Sequence, residues 1–266
     1  MCKMYGVVTD LQSINSKIRT VTAGDDKFKN YIVRVGDKAP VITDLDPKKI
    51  QTFTFGLTCS SSKKQTFIYN GDTSHVLIKP PFRTLIRTQR CIVPATHFIA
   101  FNSEKNLAYC VHLINIKPFF FGGVWDTWKD ELKDIIISSF SIITTKSNFI
   151  MSAFSILETP VIISPGKEKY WLKNEEPLSR ITGLMKPFAD EKMDIYPIDS
   201  DLLKKTNIND VTLLKQSGLS YWQSQKKVKE EEDRRRSSEI AMFKKLKADR
   251  EFKEMQEHYA RVLKQK

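Results

Sequence analysis

The sequence predicts an α+β protein: a twisted, mostly antiparallel, barrel-like β core with short helices around it, followed by one long C-terminal helix. Three observations predict this. Short runs rich in Val, Ile, Thr, Phe and Tyr recur from the N-terminus to about residue 163, separated by polar or Gly/Pro stretches. The helical stretches between them are short and do not alternate strictly with strands, which argues against a parallel sheet. Past residue 221 the composition changes abruptly, and residues 223–266 contain neither Gly nor Pro.

In chain order, strands are expected at 4–8, 31–35, 52–57, 66–69, 91–93, 98–101, 108–114, 119–124, 135–145 and 160–163. Helices are expected at 82–88, 148–154, 166–172 and 178–185. Phe119, Phe120 and Phe121 form a continuous apolar run, the mark of a central strand buried on both faces. Trp125 and Trp128 are assigned to the core with them. Cys59, Cys91 and Cys110 read as small buried hydrophobes. Residues 1–221 therefore make one domain, and 222–266 a basic helical tail. Along that tail Ile240, Phe243, Phe252, Met255, Tyr259 and Val262 recur mainly at three- and four-residue steps, a narrow apolar stripe. Three readings stay open for it: a solvated helix packed on its own domain, a partner protein or a second copy of the chain; a basic arm that touches nucleic acid; and partial disorder.

Composition excludes several classes. The four cysteines form no CxxC pair and no His/Cys spacing suits zinc, so neither a disulfide framework nor a metal site is expected, and no cofactor. No run approaches the ~18 apolar residues that cross a bilayer, and the first residues lack the pattern of a signal peptide. An intracellular protein without a membrane partner is expected, in cytoplasm, nucleoid or nucleus. The formal charge of +12 favours a polyanionic partner, nucleic acid first.

Cys2 carries the chemistry. A small second residue lets the initiator Met be removed, leaving a cysteine with a free α-amine beside its thiol. The α-amine has a reference pKa near ~7.7–8.0, so a neutral fraction exists at neutral pH. That amine adds to an aldehyde to give a Schiff base, and the adjacent thiol closes a five-membered thiazolidine ring. The same geometry serves N-terminal-nucleophile hydrolases, so Cys2 alone leaves the reaction open.

Other segments narrow it. The chain opens Met1-Cys2-Lys3-Met4 and continues with Phe53-Thr54-Phe55-Gly56-Leu57, Asn70-Gly71-Asp72, and Pro80-Pro81-Phe82-Arg83. Then follow Arg90-Cys91-Ile92-Val93-Pro94-Ala95, Lys117-Pro118-Phe119-Phe120-Phe121 with Trp125-Asp126-Thr127-Trp128, Ser139-Phe140-Ser141-Ile142-Ile143-Thr144-Thr145, and Pro160-Val161-Ile162-Ile163 with Trp171-Leu172. In order and spacing, from residue 1 to about 172, these segments resemble the SOS-response-associated peptidase family, whose members crosslink abasic sites in single-stranded DNA.

The resemblance implies a twisted antiparallel barrel-like fold and a basic cleft for single-stranded DNA. It implies that Cys2 is the crosslinking nucleophile, open to solvent in that cleft, and that Asn70 holds Cys2 and the opened sugar. Lys3, Lys79, Arg83, Arg87 and Arg90 are the expected DNA contacts. The departures are as informative. The family's acid–base Glu falls on Ala100, its His on Ile156, and an Arg on Asp72. Covalent capture of abasic sites with weakened catalysis is therefore one expectation, and a degenerate scaffold that binds nucleic acid or protein without reacting is the other. Whether the chain is an enzyme stays open. His97, Glu158 and His75 are the neighbours that could substitute for the lost groups, Glu158 ahead of His97 because an offset of two along a strand keeps the face.

Overall fold

The computed structural model describes residues 2–7, 14, 17–18, 21–22, 32–102, 104–131, 134–199, 201 and 216–263. The strands are β1 Met4–Gly6, β2 Val21–Thr22, β3 Ile32–Arg34, β4 Lys38–Thr43, β5 Lys49–Phe55, β6 Asn70–Asp72, β7 Arg90–Ala95, β8 His97–Asn102, β9 Leu107–Leu113, β10 Phe119–Asp130, β11 Ile135–Lys146, β12 Glu158–Pro160, β13 Ile162–Ile163 and β14 Met193–Ile198. The helices are α1 Phe82–Thr88, α2 Phe149–Ala153, α3 Glu168–Leu172, α4 Leu178–Leu184 and α5 Tyr221–Leu263.

Five strands close a barrel. β5, β4, β7, β10 and β11 pair in that order, each neighbour antiparallel, and β11 returns to β5 in parallel through Ser139↔Thr54 and Phe140↔Phe55. Closure leaves no free edge on these strands. A second sheet runs β14-β9-β8-β1-β3. Its Tyr5 and Phe98 meet the barrel's aromatics: Tyr5 lies 5.5 Å from Phe55 and 5.7 Å from Phe121, both edge-on, and Phe98 lies 6.0 Å from Phe121. Such offset aromatic contacts add about 0.5–1.5 kcal/mol each beyond area burial. The main apolar cluster gathers Leu85 and Ile86 of α1 and Trp171 and Leu172 of α3 around Ile42, Ile92, Phe120 and Val124 of the barrel strands.

The α+β architecture, the barrel and the long helix are as the sequence indicates. Phe119, Phe120, Phe121 and Trp128 are buried, as are all four cysteines. The expected strand at 66–69 is displaced: only an isolated bridge, Leu57↔Ile68, forms there, and pairing resumes at Asn70. β2, β4 and β14 were not expected.

Contacts divide the chain into two units, Met1–Ser220 and Tyr221–Lys266. The second is the single helix α5, on which Val228, Ile240, Met242 and Met255 are exposed. The side chains of Phe243, Phe252, Tyr259 and Val262 lie outside the described residues. Among those residues no helix is long and apolar enough to cross a membrane.

Candidate functional site

Cys2 precedes β1, and Asn70 opens β6, yet the fold brings them together. The Asn70 amide brackets the Cys2 backbone: its oxygen accepts from the Cys2 N–H at 3.3 Å, and its nitrogen donates to the Cys2 carbonyl at 3.2 Å and the Tyr69 carbonyl at 3.0 Å. These partners fix the amide's orientation, since the reverse would turn oxygen toward oxygen. The Lys3 ammonium stands 5.7 Å from the Tyr69 ring centroid, a cation–π contact that keeps a positive charge beside Cys2.

Cys2 itself is not open. It is 3% exposed, its Sγ donates to the Met4 carbonyl at 3.5 Å, and burial pushes its thiol up to about 12. The expectation of a solvent-open cysteine is corrected: the thiol is packed away and stays protonated at neutral pH. Met1 lies outside the described residues.

β6 runs parallel to β11, pairing Asn70↔Ile142 and Asp72↔Thr144. Side chains two apart on a strand share a face, so Asn70 and Asp72 point the same way. On the other side of β11, β12 pairs Glu158↔Lys146 and Pro160↔Thr144. Glu158 therefore shares that face too, and its Oε2 accepts from Thr144 Oγ1 at 3.3 Å. The Asp72 carboxylate accepts from the Ser74 N–H at 2.9 Å and from the Ser74 hydroxyl, with His75 Nδ1 at 3.6 Å. Burial works to raise the Asp72 carboxyl, but the Ser74 bonds and His75 outweigh it and hold it below its ordinary value.

Ala100 and Ile156 are buried and cannot titrate. Ala100 faces Tyr109 across the β8–β9 pair, and the Tyr109 ring meets Phe154 edge-on at 4.9 Å. Tyr109 carried no signal in the sequence beyond β propensity. His97 does not stand in for the missing Glu. It lies across from Gly6 rather than Cys2, its ring so close that a Cβ on Gly6 would sit 1.9 Å from His97 Cε1. Burial lowers its pKa to about 4.

The basic residues divide. Lys79, Arg83 and Arg87 are exposed at four-residue steps, one stripe along α1 and the turn before it. Arg90 is corrected. It is 1% exposed, and its guanidinium donates to the carbonyls of Trp171 at 2.6 Å, Ile86 at 2.8 Å, Arg87 at 3.0 Å and Lys173 at 2.7 Å. A guanidinium so saturated ties α1 to α3 and has no reach toward a phosphate. A cavity of 790 Å³ lined by Lys17, Asp44, Ile92, Glu168, Lys169 and Leu172 includes none of Cys2, Asn70 or the basic stripe.

Comparison with known proteins bears on the family and the fold. The family model described as SOS response associated peptidase (SRAP) matches residues 1–205. The chain is 26% identical over 168 residues to the abasic site processing protein YoqW of Bacillus subtilis (strain 168), covering 60% of this chain and 74% of that one. It is 26% identical over 182 residues to YoaM of the same organism, named in the same way, covering 65% and 78%. A crystal structure of a Bacteroides thetaiotaomicron protein superposes with a TM-score of 0.72 at 25% identity, covering 82% of this chain and all of that one. A Bordetella bronchiseptica protein, at 16% identity and a TM-score of 0.62 over 74% of this chain, shares the fold.

Proposed function

This chain belongs to the SOS response associated peptidase family, and from that premise we propose that it binds single-stranded DNA and captures abasic sites covalently through Cys2. The abasic-site names of its relatives support a role in abasic-site processing. The observation that carries the finer reading is the Asn70 amide on the Cys2 backbone. Once Met1 is removed, the nitrogen that Asn70 grips becomes the α-amine. An amide oxygen accepting from that nitrogen aims its lone pair and holds it against the aldehyde, which is catalysis by orientation.

The order of steps follows from the burial of the thiol. With Met1 still attached, burial pushes the Cys2 thiol up to about 12, and a thiol packed in this way does not lead as thiolate. The amine, titrating near ~8, attacks first. The C=O double bond becomes a carbinolamine, water leaves, and a Schiff base remains. The thiol then adds to the imine carbon, its proton passing to a base, and the thiazolidine closes. Lys3 and the Lys79–Arg83–Arg87 stripe supply the positive field for phosphates.

The test pairs purified protein with an abasic single-stranded oligonucleotide. A Cys2-dependent band that survives denaturation is expected, together with an intact mass lacking Met1. No band, or an equal one from Cys2→Ala, overturns the reading.

A second reading is favoured by the buried, non-titrating side chains at Ala100 and Ile156, together with the buried thiol. It is a scaffold that binds nucleic acid or protein without reacting. Its signature is salt-sensitive DNA binding with no covalent product.

A further inference from the structure

We infer that His75 is the titrating member of the basic stripe, a phosphate contact that makes the grip on single-stranded DNA depend on pH. This rests on the single-stranded DNA reading above and deepens it, and it does not depend on the covalent step.

The stripe extends by one step. Main-chain bonds four residues apart link His75 to Lys79 and Lys79 to Arg83: the Lys79 N–H donates to the His75 carbonyl at 2.8 Å, and the Arg83 N–H to the Lys79 carbonyl at 3.0 Å. Residues four apart along such turns are neighbours on one side. His75, Lys79, Arg83 and Arg87 are all exposed. His75 is the end of this row that follows β6 in the chain. Asp72, its ion-pair partner, stands one pleat along from the Asn70 that brackets Cys2. The charged groups about His75 are Asp72 on β6 and Lys79 one turn on. Beyond Thr144, the β11 partner of Asp72, stand Lys146 and Glu158 of the β11–β12 pair.

The hydrogen bonds set where the proton goes. The Ser74 hydroxyl gives its one hydrogen to Asp72, so its oxygen is left to accept. His75 Nδ1, 2.9 Å from that oxygen and 3.6 Å from the Asp72 carboxylate, is then the donor and carries the hydrogen of the neutral ring. A second proton goes to Nε2, the ring nitrogen that meets neither partner, on a side chain 54% exposed. With the ring neutral, Asp72 presents an uncompensated negative charge and repels a phosphate. With the ring protonated the pair is neutral, and Nε2–H is a charged donor for a phosphate oxygen. Imidazole is the side chain whose charge changes between about pH 5 and 8. A phosphate favours the charged ring, so binding takes up a proton and tightens as pH falls.

The test is the affinity of the full chain for an unmodified single-stranded oligonucleotide, measured over a range of salt at about pH 6 and about pH 8. Wild type is expected to bind roughly tenfold tighter at the lower pH, with a salt slope steeper by about 0.7, the share of one phosphate. His75→Gln is expected to lose most of both differences. His75→Arg, a fixed cation, is expected to bind at the higher pH about as tightly as wild type does at the lower. His75 is exposed, so neither variant is expected to shift the melting temperature. Titration elsewhere, the α-amine of Cys2 included, persists in both variants, so the comparison isolates this ring. If wild type binds with salt sensitivity but His75→Gln keeps the wild-type change with pH, the inference fails and the single-stranded DNA reading stands. If wild type shows no salt-sensitive binding at either pH, both fail together.

Discussion

The Phe82 ring lies against Gly71. A Cβ built on Gly71 would stand 2.4 Å from Phe82 Cε1 and 2.7 Å from Phe82 Cδ1. Phe82 is the first residue of α1, and Gly71 sits between Asn70 and Asp72 on β6. This contact sets the basic stripe beside the strand that holds Cys2. Gly71→Ala forces the ring and the helix start to shift, and overpacking of this kind costs about 1–3 kcal/mol. The expected outcome is a lower urea midpoint with a weaker grip on single-stranded DNA. A stability equal to wild type would show that the ring moves aside freely.

The legible parts of the fold were those with local signals. The apolar run at 119–124 and the β-branched run at 135–145 announced the two longest strands, although the first runs six residues further, to Asp130, and α1 begins and ends where propensity placed it. β4 and β14 each hold a proline, Pro40 and Pro197, which argues against a strand, and β2, two residues long, is too short to show a pattern. β14 is an edge of its sheet, where a missing N–H is tolerated. The Cys2–Asn70 contact has no local signature, since its partners are far apart in sequence, and only the family resemblance pointed to it. Arg90 misled for the same reason: its carbonyl partners on Trp171 and Lys173 are 81 and 83 residues away, and a cation beside other cations reads as surface.

Arg90 should therefore matter for folding and not for DNA. Arg90→Met leaves the Trp171, Ile86 and Lys173 carbonyls without their donor in a buried setting, where each unmet group costs about 1–3 kcal/mol before relaxation. A net loss of about 2–4 kcal/mol in denaturant unfolding is expected. The salt dependence of DNA binding should stay as in wild type, and a reduced slope would return Arg90 to the phosphate contacts.

Acid should weaken the fold through His97. Its Nε2 is sealed off without a partner, and its Nδ1 meets Thr96 Oγ1 at 3.0 Å. Burial first, then Lys117 and His112, lower its pKa from 6.5 to about 4. The folded value lies below the unfolded one, so protons favour the unfolded chain. This contribution is fully present above about pH 6.5 and is lost as pH falls toward 4. The residue keeps some exposure, so the loss is roughly 2–3 kcal/mol rather than the full conversion of the shift. The check is the difference in unfolding free energy between pH 7.5 and 4.5, wild type against His97→Gln. The variant should lose less, and equal losses would mean that His97 is solvated.

The stripe of Lys79, Arg83 and Arg87 should be felt as counterion release. For single strands each neutralised phosphate adds about 0.7 to the slope of log affinity against log salt. Arg83→Ala and Arg87→Ala together should lower that slope by roughly 1.4, if each meets one phosphate, and weaken binding alike for every sequence. Both side chains are exposed, and Arg87 gives up only a bond to the Arg83 carbonyl, so thermal stability should barely move. On the covalent reading proposed above, the adduct at Cys2 should then form more slowly at low DNA concentration but at an unchanged limiting rate, because on that reading these residues gather the strand rather than react with it. A slope identical to wild type would place the DNA path elsewhere on the surface, with Lys3 as its remaining charge beside Cys2.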